Sequence, residues 1–180
     1  MDAQPYTLDG IRTAANEMDW ESVYTENLPR VYNFFRYRTG DGPQAEDLTA
    51  TTFEKAWRAR ARYRRDLAAF TTWLLSIARN VAADHFRKDG REHPLETVEE
   101  LPAPVSLEET SQRRAELGYL SSLLSHLPDR ERELVALKYG AELTNRQIAR
   151  LTRLSESNVG TILNRVLQRL RAEMEAEDER

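Results

Sequence analysis

Phe70, Trp73, Leu74, Ile77, Ala78 and Val81 recur at steps of 3, 1, 3, 1 and 3. That spacing winds a broad apolar stripe along one side of an α-helix. It cannot be laid on a strand, whose side chains change face at every residue. Shorter runs with the same rhythm recur along the chain, and no segment reads as strand. The fold expected is therefore all-α. A helix with one apolar stripe must bury it against other helices, so the architecture is built from small helical bundles.

The first helical segment covers residues 20–88. "WESVYTENLPRVYNFFRYR" carries Val23, Leu28, Val31, Phe34 and Phe35 at near-helical spacing and stops at "TGDGP", residues 39–43, a turn with two Gly and a Pro. "AEDLTATTFEKAWRARARY" resumes the helix, with Leu48, Phe53, Ala56 and Trp57 on one side. The striped helix then runs to about Lys88. Residues 89–110 hold three Pro, one Gly and seven acidic residues, and read as an extended or poorly ordered linker. Helices return near Ser111: "RRAELGYLSSLLSHL", "PDRERELVALKY", and two more within "TNRQIARLTRLSESNVGTILNRVLQRL". The division expected is an N-terminal arm over 1–19 whose order the pattern does not specify, a first domain over 20–90, a flexible acidic linker over 91–110, a second domain over 111–174, and a tail over 175–180 that should fray.

Net charge is only −4, which by itself argues against a polyanion partner. The arrangement of the charges reverses that impression. Residues 54–91 carry 10 Lys/Arg against 4 Asp/Glu, and residues 111–172 carry 11 against 6. Between them, residues 92–110 carry six acidic residues and no basic one. Two basic blocks flank an acidic strip, and blocks rather than sums are what polyanion binding requires. Each block is equally readable as a solvated helix face.

Several classes of function are excluded. With no Cys there is no disulfide, thiol catalysis or thiolate metal site. His85, His93 and His126 are scattered, without metal-ligand spacing to a carboxylate. No Gly-rich phosphate loop and no nucleophile motif is present, so neither an enzyme nor a bound cofactor is expected. No apolar run approaches the roughly 20 residues that span a bilayer, and "MDAQPYTLDG" lacks the regions of a signal peptide. A cytoplasmic chain without membrane insertion is expected.

The motifs point to nucleic acid. In the last two helices Thr144 and Gln147 form a T-x-x-Q capping box, and Ser155 is placed to cap the final helix. That helix buries Val159, Ile162, Leu163, Val166, Leu167 and Leu170, while Ser157, Thr161, Asn164, Arg165 and Gln168 face out. Hydrogen-bonding side chains of modest length suit base edges and phosphates in a major groove. A plain helical hairpin with a polar face has the same pattern. Along the striped helix, Thr72, Ser76, Arg79, Asn80, Ala83 and Arg87 form a second face, and just upstream "RARARYRRD" sets five Arg around Tyr63. Basic and aromatic side chains together suit a single strand, neutralising phosphates and stacking on bases. Phe70 and Trp73 read as core, whereas Tyr63 fits either role.

Two blocks together resemble the extracytoplasmic-function sigma factors of the sigma-70 family. "AEDLTATTFEKAWRARARYRRDLAAFTTWLLSIARNVAADHFRK" is similar to their −10-reading domain, through A-E-D-L, T-F-x-K-A-W and F-x-x-W-L-x-x-I-A-R-N-x-x-x-D. "LPDRERELVALKYGAELTNRQIARLTRLSESNVGTILNRVLQRLR" is similar to their −35-reading helix-turn-helix domain. The resemblance covers about residues 20–172. It implies that the first domain binds the clamp of bacterial core RNA polymerase and captures the melted −10 strand. The second would sit on the polymerase flap and read promoter DNA as duplex. The linker would thread toward the active site, its carboxylates occupying a basic RNA path or serving only as a solvated tether. An anti-sigma protein covering the polymerase-binding faces is the partner expected for control.

By position, the resemblance puts Asp47 and Leu48 at the clamp, with Glu46 nearby and Thr51 on the same helix. Arg62, Tyr63, Arg64 and Arg65 border the strand-capture loop, and Arg79, Asn80, Asp84 and Arg87 lie on the helix facing promoter DNA. In the second domain Arg146, Ser157, Asn158, Thr161, Asn164 and Arg165 fall where phosphates and bases are met. Departures qualify this. Ala50 and Thr51 stand where the family often has Gln and Glu. Arg153 stands where the turn usually has Gly, implying a left-handed residue at a cost of about 1 kcal/mol or a different turn. Glu156 and Gly160 replace basic or small polar residues, and Gly160 weakens the helix by about 1 kcal/mol. A weak or unusual −35 contact is expected. A helix-turn-helix regulator that binds operator DNA without polymerase is the alternative, but its N-terminal domain should sense a ligand or dimerise.

Overall fold

The computed structural model describes residues 19–92, 119 and 121–178. Every element among them is helical. The arm before residue 19 and most of the acidic linker lie outside the described residues.

Helix α1 (Trp20–Thr39) is capped by Asp19, whose carboxylate accepts from the Glu21 amide at 3.1 Å and the Ser22 hydroxyl at 2.6 Å. Those bonds, the Ser22 ones foremost, hold the Asp19 carboxyl below the usual carboxylate range. Gly40 ends the helix at φ 75, its N–H bonding Arg36 O at 2.9 Å. Glycine adopts this left-handed conformation without a Cβ clash. Asp41 at once caps α2 (Gly42–Ala59), so the turn expected over 39–43 shrinks to two residues and Pro43 enters the first helical turn. A 3₁₀ turn (Arg60–Arg62) and a loop lead to α3 (Phe70–Glu92). Helix α3 runs through Asp89 and Gly90, four residues past Lys88, so the first part of the expected linker is helical.

These three helices enclose Val31, Phe34, Phe35, Leu74, Leu75 and Ala78, all fully buried. Each large apolar side chain so buried contributes about 1.5–3 kcal/mol. The stripe on α3 is shifted from the expected one. Leu75 and Ala82 are buried, whereas Phe70, Trp73 and Ile77 are only partly covered, and the helix packs against α2 and α1 of its own unit and residues 145–152 of the second. Trp57, expected in the core, is 48% exposed.

The described part of the second unit opens with helical residues 119 and 121–125 and continues with α4 (Asp129–Val135). A π-helical turn, Ala136–Gly140, extends α4, with Ala141 N bonding Ala136 O at 2.9 Å. Helix α5 (Asn145–Thr152) carries the full Thr144/Gln147 capping box. Arg153 joins it to α6 (Glu156–Asp178) at φ 60, the left-handed conformation that its place in the turn requires. Ser155 Oγ accepts from Asn158 N at 3.1 Å as the cap. Val159, Leu163, Val166 and Leu170 are buried, with Ile162 packed beside them. The tail expected to fray is helical through Asp178.

The described parts of the two units pack against each other. Their buried residues form one continuous cluster, and α1 lies along the π turn. Arg38, 4% exposed, reaches from α1 to the Asp129 carbonyl at 2.9 Å and its carboxylate at 2.8 Å. Arg30 pairs with Glu142 at 3.4 Å.

Candidate nucleic-acid interface

On α2, Glu46 and Asp47 are exposed and adjacent, an acidic edge open to a basic partner. Thr51 sits one turn on, and its hydroxyl donates to Asp47 O at 2.9 Å. Leu48, placed at the clamp from sequence, is 9% exposed and belongs to the core. Its role is to seat the helix that carries the acidic pair.

The loop between α2 and α3 holds a basic rim around an aromatic wall. Arg62, Arg64 and Arg65 are exposed. Tyr63 is half-buried, its ring 5.3 Å from Phe70 and 5.2 Å from Trp73 between centroids, and its hydroxyl donates to Ala68 O at 3.1 Å. The hydroxyl closes the loop and the ring joins the wall. The wall continues through Phe70 to Trp20 at 5.7 Å and from Trp20 to Trp57 at 5.2 Å. Arg60 stacks over Trp57 at 4.0 Å. Trp20, Trp57 and Arg60 were not singled out from the sequence as site residues. Trp57 has helical spacing with core positions, which masks its exposure, whereas the alternation of Arg with Ala after it was a usable signal. Arg64 forks onto Asp66, Nε to Oδ1 at 3.0 Å and Nη2 to Oδ2 at 2.8 Å. Hydrogen bonding from Arg64 holds the Asp66 carboxyl below its ordinary range.

Along α3, Asn80 and Arg87 are exposed and Asp84 lies between Arg87 at 2.9 Å and Lys55 at 3.7 Å. Arg79 points away from this open face. Its Nε donates to Glu133 at 2.8 Å and its Nη1 bonds the Leu151 carbonyl. The structure thus brings Asn80, Asp84 and Arg87 together on a free face and gives Arg79 to the second unit.

The second unit presents Ser157, Asn158, Thr161, Asn164 and Arg165 on one exposed face of α6, with Arg146 exposed on α5. Alternation with buried Val159, Leu163 and Val166 fixes that face outward. A helix N-terminus here favours phosphate, but Glu156 stands in the first turn and pairs with Arg146 at 3.5 Å. No group of acidic and His side chains that could hold a metal occurs among the described residues, and no described helix is long and apolar enough to cross a membrane.

The two units match two known families in chain order. The Sigma-70 region 2 family matches residues 23–92, and Sigma-70, region 4 matches residues 117–170. The ECF RNA polymerase sigma factor SigM of Bacillus subtilis is 30% identical, over 86% of this chain and 94% of SigM. The ECF RNA polymerase sigma factor BldN of Streptomyces coelicolor is also 30% identical, over 88% of this chain but only 62% of BldN, so the chain spans about three fifths of that relative. The fold is that of the sigma factor RpoE in its co-crystal structure with the anti-sigma factor NepR from Bartonella quintana, with a TM-score of 0.69 at 21% identity over 87% of this chain and 97% of that one. The chain therefore belongs to the ECF RNA polymerase sigma factors.

Proposed function

We propose that this protein binds bacterial core RNA polymerase and directs promoter recognition and DNA melting, acting in the cytoplasm and held in check by an anti-sigma protein. It performs no catalysis of its own. The observation that carries this is the pairing of two different nucleic-acid surfaces in one chain. The Arg-rimmed aromatic wall of residues 57–73 suits a single strand, whose bases stack on rings while phosphates meet guanidinium groups. The α6 face suits a major groove. A regulator that binds only duplex operator has no use for the first surface.

The roles follow. Glu46 and Asp47 contact the polymerase clamp, with Thr51 at the edge of the contact and Leu48 supporting from below. Arg62, Arg64 and Arg65 neutralise strand phosphates beside the Tyr63 ring. Asn80 and Arg87 face the −10 DNA, and Arg79 joins them once freed. Arg146, Ser157, Asn158, Thr161, Asn164 and Arg165 meet the −35 duplex, weakly because Glu156 repels phosphate.

The test is assembly with core RNA polymerase, read by co-elution in gel filtration. The wild-type chain is expected to co-elute. Asp47→Arg, an exposed charge reversal that leaves the core untouched, is expected to lower affinity at least tenfold. Equal binding by both would remove the clamp assignment.

A further inference from the structure

A small cavity of about 20 Å³ lies where the end of α1 faces residues 121–132. Arg36, Arg38 and Gly40 line it on one side, and Ser121, Ser125 and Arg132 on the other. Among the described residues, three guanidinium groups and no carboxylate border it.

The donors around it are not all engaged. Arg36 Nη1 donates to Gly40 O at 2.9 Å. Arg38 directs both Nη groups to Asp129, one to the carbonyl at 2.9 Å and one to the carboxylate at 2.8 Å. Arg132 donates to Arg38 O at 3.5 Å, to Leu127 O at 3.3 Å and to Ser125 O. The Nε of Arg38 and the Nε of Arg132 are both buried and have no partner among the described residues. Arg38 as a whole is 96% covered, so water does not readily serve its Nε. A buried donor on a charged group is costlier to leave unmade than a neutral one. A guanidinium carries donors only, so neither arginine can satisfy the other. The two also repel: burial first, and the charge of Arg38 second, hold the Arg132 guanidinium below the usual arginine pKa, against a weaker pull from Asp129.

We propose that this cavity binds a chloride-sized monovalent anion, which accepts from the Nε groups of Arg38 and Arg132 and offsets the repulsion between them. Size sets the class. One water needs about 10–15 Å³, so the cavity takes a single monatomic ion and is too small for phosphate or sulfate. Charge sets the sign, since a water carries none to set against three cations and brings hydrogens of its own. The Ser121 hydroxyl, whose bond to Gly40 O is long at 3.5 Å, supplies a third donor by turning. The site uses none of the residues assigned above to polymerase or DNA.

The experiment is thermal unfolding of the full chain, followed by circular dichroism, as sodium chloride replaces sodium gluconate at constant ionic strength. A ligand held only by the folded state stabilises it by mass action. Chloride is expected to raise the melting temperature saturably, by about 2–4 °C, and bromide to act alike. Arg132→Gln removes one donor and one charge, and is expected to lose this rise whatever its own melting temperature. Arg171→Gln, at an exposed position on α6, is expected to keep it. Equal melting temperatures in the two salts overturn the proposal. A rise that survives in Arg132→Gln is a general salt effect and overturns it too. Crystals of the wild-type chain grown in sodium bromide decide the matter if Arg132→Gln fails to fold. An anomalous bromine peak between Arg38 and Arg132 is expected, and its absence contradicts the site.

Discussion

Arg79 Nε donates to Glu133 Oε1 at 2.8 Å, joining α3 of the first unit to α4 of the second. Both side chains are mostly covered, so the pair is screened far less than a surface ion pair. Glu133→Gln keeps the shape and removes the charge. A loss of about 1–2 kcal/mol from the contact between the two units is a factor of about 5–30 in its equilibrium. Fork-junction DNA in the presence of core polymerase is expected to bind several-fold more tightly to this variant. Unchanged or weaker binding means that Glu133 does not withhold Arg79 from DNA.

Arg153 occupies the left-handed region at φ 60 and ψ 27. A side chain there costs about 1 kcal/mol. Arg153→Gly is expected to raise the melting temperature by about 2–4 °C, the shift that 1 kcal/mol gives a chain of this size. Thermal unfolding followed by circular dichroism reads it, and a lower melting temperature contradicts the strain argument.

Glu156 lies in the first turn of α6 and draws on Arg146 at 3.5 Å. Glu156→Gln removes a charge that repels phosphate and frees a cation. Duplex binding by the full chain is expected to tighten, and the slope of log affinity against log salt to steepen by about 0.9 for one added phosphate contact. An unaltered slope shows that Arg146 does not reach DNA.

Asp66 holds Arg64 by two bonds of 2.8 and 3.0 Å in the loop between α2 and α3. Its carboxyl is shifted below the usual value of 3.8, chiefly by hydrogen bonding from Arg64. The sign of the shift means the pairing persists above that value and is lost as pH falls through the lowered one. At neutral pH the pair is intact, so Asp66→Asn is expected to strengthen single-strand binding measured by fluorescence anisotropy. Weaker binding means that Asp66 is needed to shape the loop.

The parts of the fold legible from sequence are those set by near neighbours. The capping box at Thr144 and Gln147 and the Ser155 cap each depend on residues within a turn, whereas the left-handed Arg153 was one of two outcomes that the resemblance left open. Family membership was legible because two motif blocks keep their order. What was not legible depends on partners far along the chain. Trp57 has core spacing on α2, yet it is 48% exposed and stacks with Trp20 and Arg60. The apolar spacing of Leu48 marked it as inward, and only the resemblance set it at an outer contact. Gly140 reads as an ordinary turn residue until α1, more than a hundred positions earlier, is seen against it. Arg79 shows the same blindness, because its partner Glu133 belongs to another unit.

The central claim is that this chain makes core RNA polymerase start at promoters. Run-off transcription with purified core polymerase over a genomic promoter library, with and without the protein, tests it most directly. The account predicts discrete new starts that share upstream sequence and require the protein. No new starts and no binding to polymerase would contradict it and leave the α5–α6 hairpin as an ordinary operator reader.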